Sequence, residues 1–150
     1  MQANTVIHQG QGVAERLTNS EKLDISRAQQ WAGRVMSSVT ILFLLLDGGM
    51  KLFKPSVVVK ATTELGFPES TIVGIGIVLL VSVVLHLVPR TSFLGALLIT
   101  AYLGGAVASK VRVGAPVFDI TFALIVAILL WGGFWLRDRR VRDMLPIRAP

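Results

Sequence analysis

Five polar side chains stand within or beside apolar stretches and are the candidates for ligand binding: Asp47, Lys51, Tyr102, Arg112 and Asp119. Asp47 and Lys51 are four residues apart, so on a helix they share one face, with the acid N-terminal to the base. A charged side chain in hydrocarbon costs about 2.5–3.5 kcal/mol on insertion scales and therefore requires a partner or a wet cavity. The pattern predicts a ligand-binding site. The alternative is that these charges form ion pairs that only hold helices together.

The residue types exclude most catalytic chemistry. No cysteine is present, which rules out thiolate catalysis, disulfide exchange and iron–sulfur ligation. His8 and His86 are far apart and neither has a partner histidine one helical turn away, so we predict no metal or haem site. Tyr102 offers one hydrogen bond that suits a quinone or lipid carbonyl, although a tyrosine in an apolar segment can also be a packing residue. No nucleophile–base pair or phosphate loop appears, and we predict no catalytic residue.

The composition is that of a membrane domain. Of the 150 residues, 53% are hydrophobic and only 16% are charged, compared with about 25% charged in an ordinary soluble domain. The net charge of +6 raises the question of nucleic acid, but the basic residues lie beside apolar runs and are not interleaved with aromatic residues. The lipid bilayer, and not nucleic acid, is therefore the predicted partner.

Four apolar segments are long enough to span a bilayer: residues 31–53, 71–88, 91–109 and 118–136. The third contains 19 residues without a charge, about 28 Å of helix against a hydrocarbon core of roughly 30 Å. Only Pro89 and Arg90 separate it from the second segment, so these two form an antiparallel hairpin. We predict an all-α membrane protein with an antiparallel bundle of four transmembrane helices.

The transmembrane domain is expected to cover residues 28–138, with a polar N-terminal tail, 1–27, and a basic C-terminal tail, 139–150. The N-terminal tail lacks an apolar run long enough for a signal peptide, and we predict that it is disordered or forms a short surface helix.

The loop after the first segment is expected to be partly helical. Pro55 suits a first helical turn and Gly66 suits a C-terminal cap. The residues that would share one face of this helix are Val58, Ala61, Thr62 and Leu65. The pattern favours a short helix at the membrane interface or folded over the bundle, with a plain connecting loop as the alternative.

Small residues on the third segment predict close helix packing. Gly95, Gly104 and Gly105 belong to this segment, and the last two lie on ridges of small residues spaced four apart. Such ridges let another helix approach closely in a membrane.

The distribution of basic residues predicts the orientation. Ten lysines and arginines fall on the side of both termini and the Pro89 turn, and five fall on the opposite side. By the positive-inside rule both termini are cytoplasmic. His86 and Arg90 then lie one turn apart at the cytoplasmic edge, where we expect them to anchor the helix ends at the interface.

Several short stretches carry a family resemblance. They are residues 90–91, 94–96, 100–106 (TAYLGGA) and 112–114 (RVG), together with 47–52 (DGGMKL), 65–68 (LGFP) and 130–138 (LWGGFWLRD). Over roughly residues 35–145 the chain resembles the DoxX-like small membrane proteins of bacteria. The resemblance implies a multi-pass protein of the inner membrane.

Two classes of function stay open. DoxX-type proteins are associated with quinone-reducing complexes, so the resemblance implies a subunit of a quinone-linked oxidoreductase system with quinone as cofactor. The absence of cysteine and of paired histidines means that any redox role must use a bound organic cofactor or a partner's centre. This favours the second class, a non-catalytic subunit or a binding and assembly protein for a lipophilic ligand, acting with a membrane-protein partner or a second copy of itself.

Overall fold

The computed structural model describes the backbone of residues 2–137 and 141 and the side chains of residues 27–137 and 141. Five α-helices and one 3₁₀ turn form the described chain: α1 Gln2–Phe53, α2 Ser56–Glu64, the 3₁₀ turn Glu69–Thr71, α3 Ile72–Leu87, α4 Ser92–Arg112 and α5 Val117–Arg137. No strand occurs in this part of the protein. The prediction of an all-α fold is confirmed.

Four helical segments are long and apolar enough to cross a membrane: Arg27–Phe53, Glu69–Leu87, Ser92–Arg112 and Val117–Arg137. The 21 residues of α4 extend about 31 Å, close to the roughly 30 Å of a hydrocarbon core. Short turns connect α3 to α4 and α4 to α5, so successive spans run antiparallel. The predicted four-helix membrane bundle is therefore present.

The first helix starts far earlier than predicted. Its backbone is helical from Gln2, where we expected a disordered tail or a short surface helix over residues 1–27. Pro55 is the first proline of the chain, and the segment contains helix formers such as Ala, Glu, Leu, Lys and Arg. No proline therefore interrupts the backbone hydrogen bonds of this segment. The predicted C-terminal tail, 139–150, lies outside the described residues except for Val141, which is buried.

The helices form a ring in which α1 and α4 are diagonal. α1 packs against α3 and α5, and α4 packs against the same two helices. The residues buried between them include Leu44, Leu79, Ile99, Leu130 and Phe134. Large apolar side chains such as Leu42, Val78, Leu94 and Ile128 are exposed on the outside of the bundle. An apolar surface of this extent is the face that a membrane protein turns toward lipid.

Glycines set the closest crossings of α1. A Cβ added to Gly76 of α3 would lie 3.0 Å from the carbonyl oxygen of Gly48 in α1. Near the start of the membrane-spanning part of α1, a Cβ on Gly133 of α5 would lie 3.1 Å from the carbonyl oxygen of Gly33. Because only a residue without a side chain fits at such distances, these two pairs fix α1 against both neighbours.

The packing prediction for α4 needs a correction. Gly95 contacts α3 closely, since an added Cβ would meet the backbone of His86. Gly104 and Gly105 have no atom within 4 Å of an added Cβ, so neither mediates a helix crossing. The reason is that the N-terminal half of α4 packs closely against α3, whereas Gly104 and Gly105 face open space.

His86 also differs from its predicted position. Its side chain is 1% exposed and does not face the interface. Its Nδ1–H donates to the carbonyl oxygen of Ser92 across 3.0 Å, and its ring meets the edge of Phe134. The close approach at Gly95 draws the end of α3 onto the start of α4 and buries the imidazole. Arg90, in the turn between the two helices, is exposed.

The segment after α1 folds back as a helix. Lys54 adopts a left-handed conformation, with φ of 48°, and reverses the chain before Pro55 and α2. Gly66 ends α2 with φ of 84°, where the amide of Phe67 donates to the carbonyl oxygen of Thr62 across 3.3 Å. Lys54 also pairs with Glu69 across 3.6 Å, which links this reversal to the start of α3.

Candidate ligand-binding site

Asp47, Lys51 and Tyr102 form one connected polar cluster. The Lys51 ammonium donates to Asp47 Oδ1 across 2.5 Å, and the Tyr102 hydroxyl donates to Asp47 Oδ2 across 2.8 Å. Lys51 Nζ also lies 5.9 Å from the centre of the Tyr102 ring, within cation–π range. Both carboxylate oxygens of Asp47 therefore have a donor.

The cluster is held at a fixed place by the crossing of α1 and α3. Gly48 follows Asp47 directly, and an added Cβ on Gly76 would lie 2.8 Å from the Cβ of Lys51. The Lys51 side chain is 12% exposed and that of Asp47 is 28% exposed, so the ion pair is largely withdrawn from solvent. Tyr102 reaches it from α4, on the opposite side of the bundle.

A cavity of about 460 Å³ adjoins the cluster. This volume falls within the roughly 300–1,000 Å³ typical of small-molecule sites. Its apolar wall comes from α1, α4 and α5 and includes Phe43, Leu103, Phe122, Ala123 and Val126. The rings of Phe43 and Phe122 meet edge to face with centroids 5.2 Å apart, joining α1 to α5 at this wall. The space is therefore apolar on one side and polar on the other.

Helix α2 closes one side of the cavity. The four residues predicted to share a face, Val58, Ala61, Thr62 and Leu65, all line it. Arg112, at the end of α4, donates from Nη2 to the carbonyl oxygen of Leu65 across 2.7 Å. This bond ties the end of α2 to the bundle, so α2 is a cover for the cavity and not a plain connecting loop.

Lys110 is a cavity residue that the sequence analysis did not select as a ligand-binding candidate. It lines the space beside Ser109, and its Nζ donates to the backbone carbonyl of Asp119 across 3.1 Å. Lys110 follows Tyr102 by eight residues, about two helical turns, so the sequence already placed both side chains on nearly the same face of the helix. Gly105 also lines the cavity, which explains why it has no packing neighbour.

The five predicted site residues divide into two groups. Asp47, Lys51 and Tyr102 line the cavity. Arg112 and Asp119 do not: Arg112 holds α2, and Asp119 contributes its backbone carbonyl to Lys110. Neither of these two forms a side-chain ion pair among the described residues. The geometry of the cavity therefore selects three of the five residues.

The cavity combines polar groups with an apolar wall. Its polar side offers ammonium donors, a tyrosine and a satisfied carboxylate next to an apolar wall. Among the residues whose side chains are described, no group of three His, Cys, Asp or Glu comes together as a metal site. The arrangement fits a molecule with a polar head and an apolar body.

The sequence that forms this site matches a known protein family. A family model described as the DoxX-like family matches residues 35–133. The matched region includes Asp47, Lys51, Tyr102, Lys110 and the whole of α2. No curated protein and no solved structure matches the chain.

Proposed function

The chain belongs to the DoxX-like family, and from that premise we propose that this integral membrane protein is a non-catalytic binding or assembly subunit that holds a lipophilic ligand. The observation that carries the proposal is the Asp47–Lys51–Tyr102 cluster on the wall of an otherwise apolar cavity. Burying the Asp47–Lys51 pair inside an apolar bundle costs free energy of desolvation. A polar ligand head group would accept hydrogen bonds from the N–H groups of Lys51 that have no acceptor.

The proposed location is the bacterial inner membrane with both termini in the cytoplasm. Support comes from the ten-to-five distribution of basic residues across the bundle. In this orientation the cavity opens near the outer leaflet, since α1 ends and α3 begins on the non-cytoplasmic side. A ligand from the bilayer would then reach the cavity without crossing the membrane.

The second candidate function is a subunit of a quinone-linked oxidoreductase system. The observation that favours it is that Phe43, Phe122, Lys51 and Lys110 line the same cavity. The two aromatic rings would hold a quinone ring, and the two lysines would donate hydrogen bonds to its carbonyl groups. Bound quinone would supply electron and proton acceptance, and the protein would supply position and hydrogen bonds. Stoichiometric quinone absorbance in protein purified in mild detergent would favour this candidate.

An assembly role also implies a membrane-protein partner or a second copy of the chain. Pull-down from native membranes, followed by mass spectrometry, identifies such a partner. Recovery of the chain alone, as a monomer that still carries a lipophile, would leave the binding role and remove the assembly role.

Two adjacent glycines provide a direct test of ligand binding. Gly105 lines the cavity, Gly104 does not, and an added Cβ meets nothing within 4 Å at either position. Gly105→Leu is expected to occupy cavity volume and reduce the lipophile that copurifies with the protein, while Gly104→Leu keeps it. The lipophile is measured by mass spectrometry after purification in mild detergent. Equal lipophile content in both variants would contradict the proposal.

A further inference from the structure

The charges around the cavity define the ligand more closely, and this inference rests on the proposed function. We infer that the cavity takes an amphiphile with an anionic head group, held by the ammonium groups of Lys110 and Lys51. The apolar wall with Phe43, Phe122 and Val126 would receive the chain.

The first step concerns the acid in the cavity. Asp47 is the one carboxylate among the lining residues. Lys51 compensates its charge, and both of its oxygens already accept a hydrogen bond, from Lys51 and from Tyr102. A satisfied and paired carboxylate presents no free negative charge to an incoming ligand. Asp47 therefore does not exclude an anion, as an unpaired acid would.

The second step concerns Lys110. Its Nζ donates to a neutral backbone carbonyl, that of Asp119, and it forms no ion pair with any described side chain. The charges that line the cavity are thus one balanced pair and one unbalanced cation. Lys110 is half-buried, and an anionic head group beside it would form a charge-assisted hydrogen bond and compensate its charge.

The third step concerns which hydrogen bonds remain to be made. The hydroxyl of Thr62 donates to the carbonyl oxygen of Val58, and the hydroxyl of Ser109 donates to that of Gly105. The donors left on the polar side are therefore the remaining N–H groups of Lys51 and Lys110, since each ammonium carries three. A ligand that offers acceptor oxygens and a negative charge matches this set better than a neutral one does.

The test compares three probes that share a 12-carbon chain: dodecanoate, dodecyl phosphate and dodecanol. The protein is placed in phosphatidylcholine nanodiscs, and binding is measured relative to empty nanodiscs. We expect at least one anion to bind at least tenfold more tightly than dodecanol, and the better anion tells a carboxylate ligand from a phosphate one. Dodecanol binding as tightly as both anions would overturn the inference.

Variants assign the preference to Lys110. Lys110→Met keeps most of the length of the side chain and removes the charge, and it should reduce the anion preference about tenfold. Lys110→Arg should retain it. The matched control is Lys60→Met, because Lys60 is exposed on α2 and does not line the cavity. An unchanged preference in folded Lys110→Met, with a normal melting temperature, would exclude Lys110 as the anion ligand.

The outcomes separate this inference from the function on which it rests. If none of the three probes binds and no lipophile copurifies with the protein, the lipophile-binding function itself is wrong. If none binds although a lipophile copurifies, the binding function stands and the inference fails. If dodecanol and the anions bind alike, the binding function stands and only the anionic specificity is lost.

Discussion

The hydroxyl of Tyr102 donates to the carboxylate of Asp47 across the diagonal of the bundle, with 2.8 Å between the two oxygens. Helices α1 and α4 are separated by α3 and α5 on either side, so this bond links two helices that do not otherwise pack extensively. It lies on the wall of the cavity. The same bond therefore contributes to holding the bundle together and to shaping the site.

The crossing of α1 and α3 is expected to be intolerant of side chains. Gly76→Leu places atoms where the Gly48 carbonyl and the Lys51 Cβ already lie, and overpacking of this kind costs about 1–3 kcal/mol. The melting temperature in detergent should fall. Gly104→Leu is the control, since its added side chain meets open space. Equal melting temperatures for the two variants would show that the crossing is looser than described.

Arg112 is expected to keep α2 closed over the cavity. Arg112→Gln weakens the bond to the Leu65 carbonyl, because it replaces a charged donor with a neutral one. The chain has no native cysteine, so a cysteine replacing the buried Thr62 reports the opening of α2 through its rate of maleimide labelling. Labelling should accelerate with Arg112→Gln and not with Arg90→Gln, at the other end of the bundle. Equal rates would mean that Arg112 does not control the cover.

The orientation is tested with two cysteine variants in intact cells. Glu64, on α2, and Arg90, in the turn between α3 and α4, are both exposed and lie at opposite ends of the bundle. A membrane-impermeant maleimide should label Glu64→Cys directly and Arg90→Cys only after permeabilisation. The reverse pattern would overturn the positive-inside assignment and move the cavity to the cytoplasmic leaflet.

The sequence predicted the spans well because the physics of a membrane helix is local. Length, hydropathy and the short Pro89 turn were enough to predict four antiparallel helices. The same local reasoning found the amphipathic face of α2, whose residues line the cavity. It also found the pair of Asp47 and Lys51, since their spacing of four needs only a helix.

The rest depended on how the helices rotate against each other, which no local pattern specifies. Gly48, Gly76 and Gly133 make the close crossings, although the small-residue ridges of Gly104 and Gly105 looked more suitable. The rotation of α3 and α4 buries His86 rather than exposing it. The rotation of α4 also places Lys110 on the cavity wall, whereas Arg112 lies outside the cavity and bonds to the end of α2.

The central claim, that the cavity is a ligand site built around Asp47, is tested most directly by Asp47→Asn. Melting temperature and copurifying lipophile are measured together for the wild type, Asp47→Asn and Tyr102→Phe. The control is Thr100→Val, which removes the acceptor of the Trp131 Nε1–H bond between α4 and α5 and lies outside the cavity. It should lower the melting temperature and keep the ligand.

Asp47→Asn keeps the shape of the side chain but removes the charged acceptor that positions both Lys51 and Tyr102 at the cavity wall. Lys51 then carries an unpaired charge, but its ammonium group and the Tyr102 hydroxyl lose their fixed geometry, and this loss outweighs the added charge. We predict that the variant inserts and folds while its lipophile content falls well below that of Thr100→Val, and that Tyr102→Phe changes in the same direction. A lowered melting temperature with wild-type lipophile content would show instead that Asp47 only holds helices together.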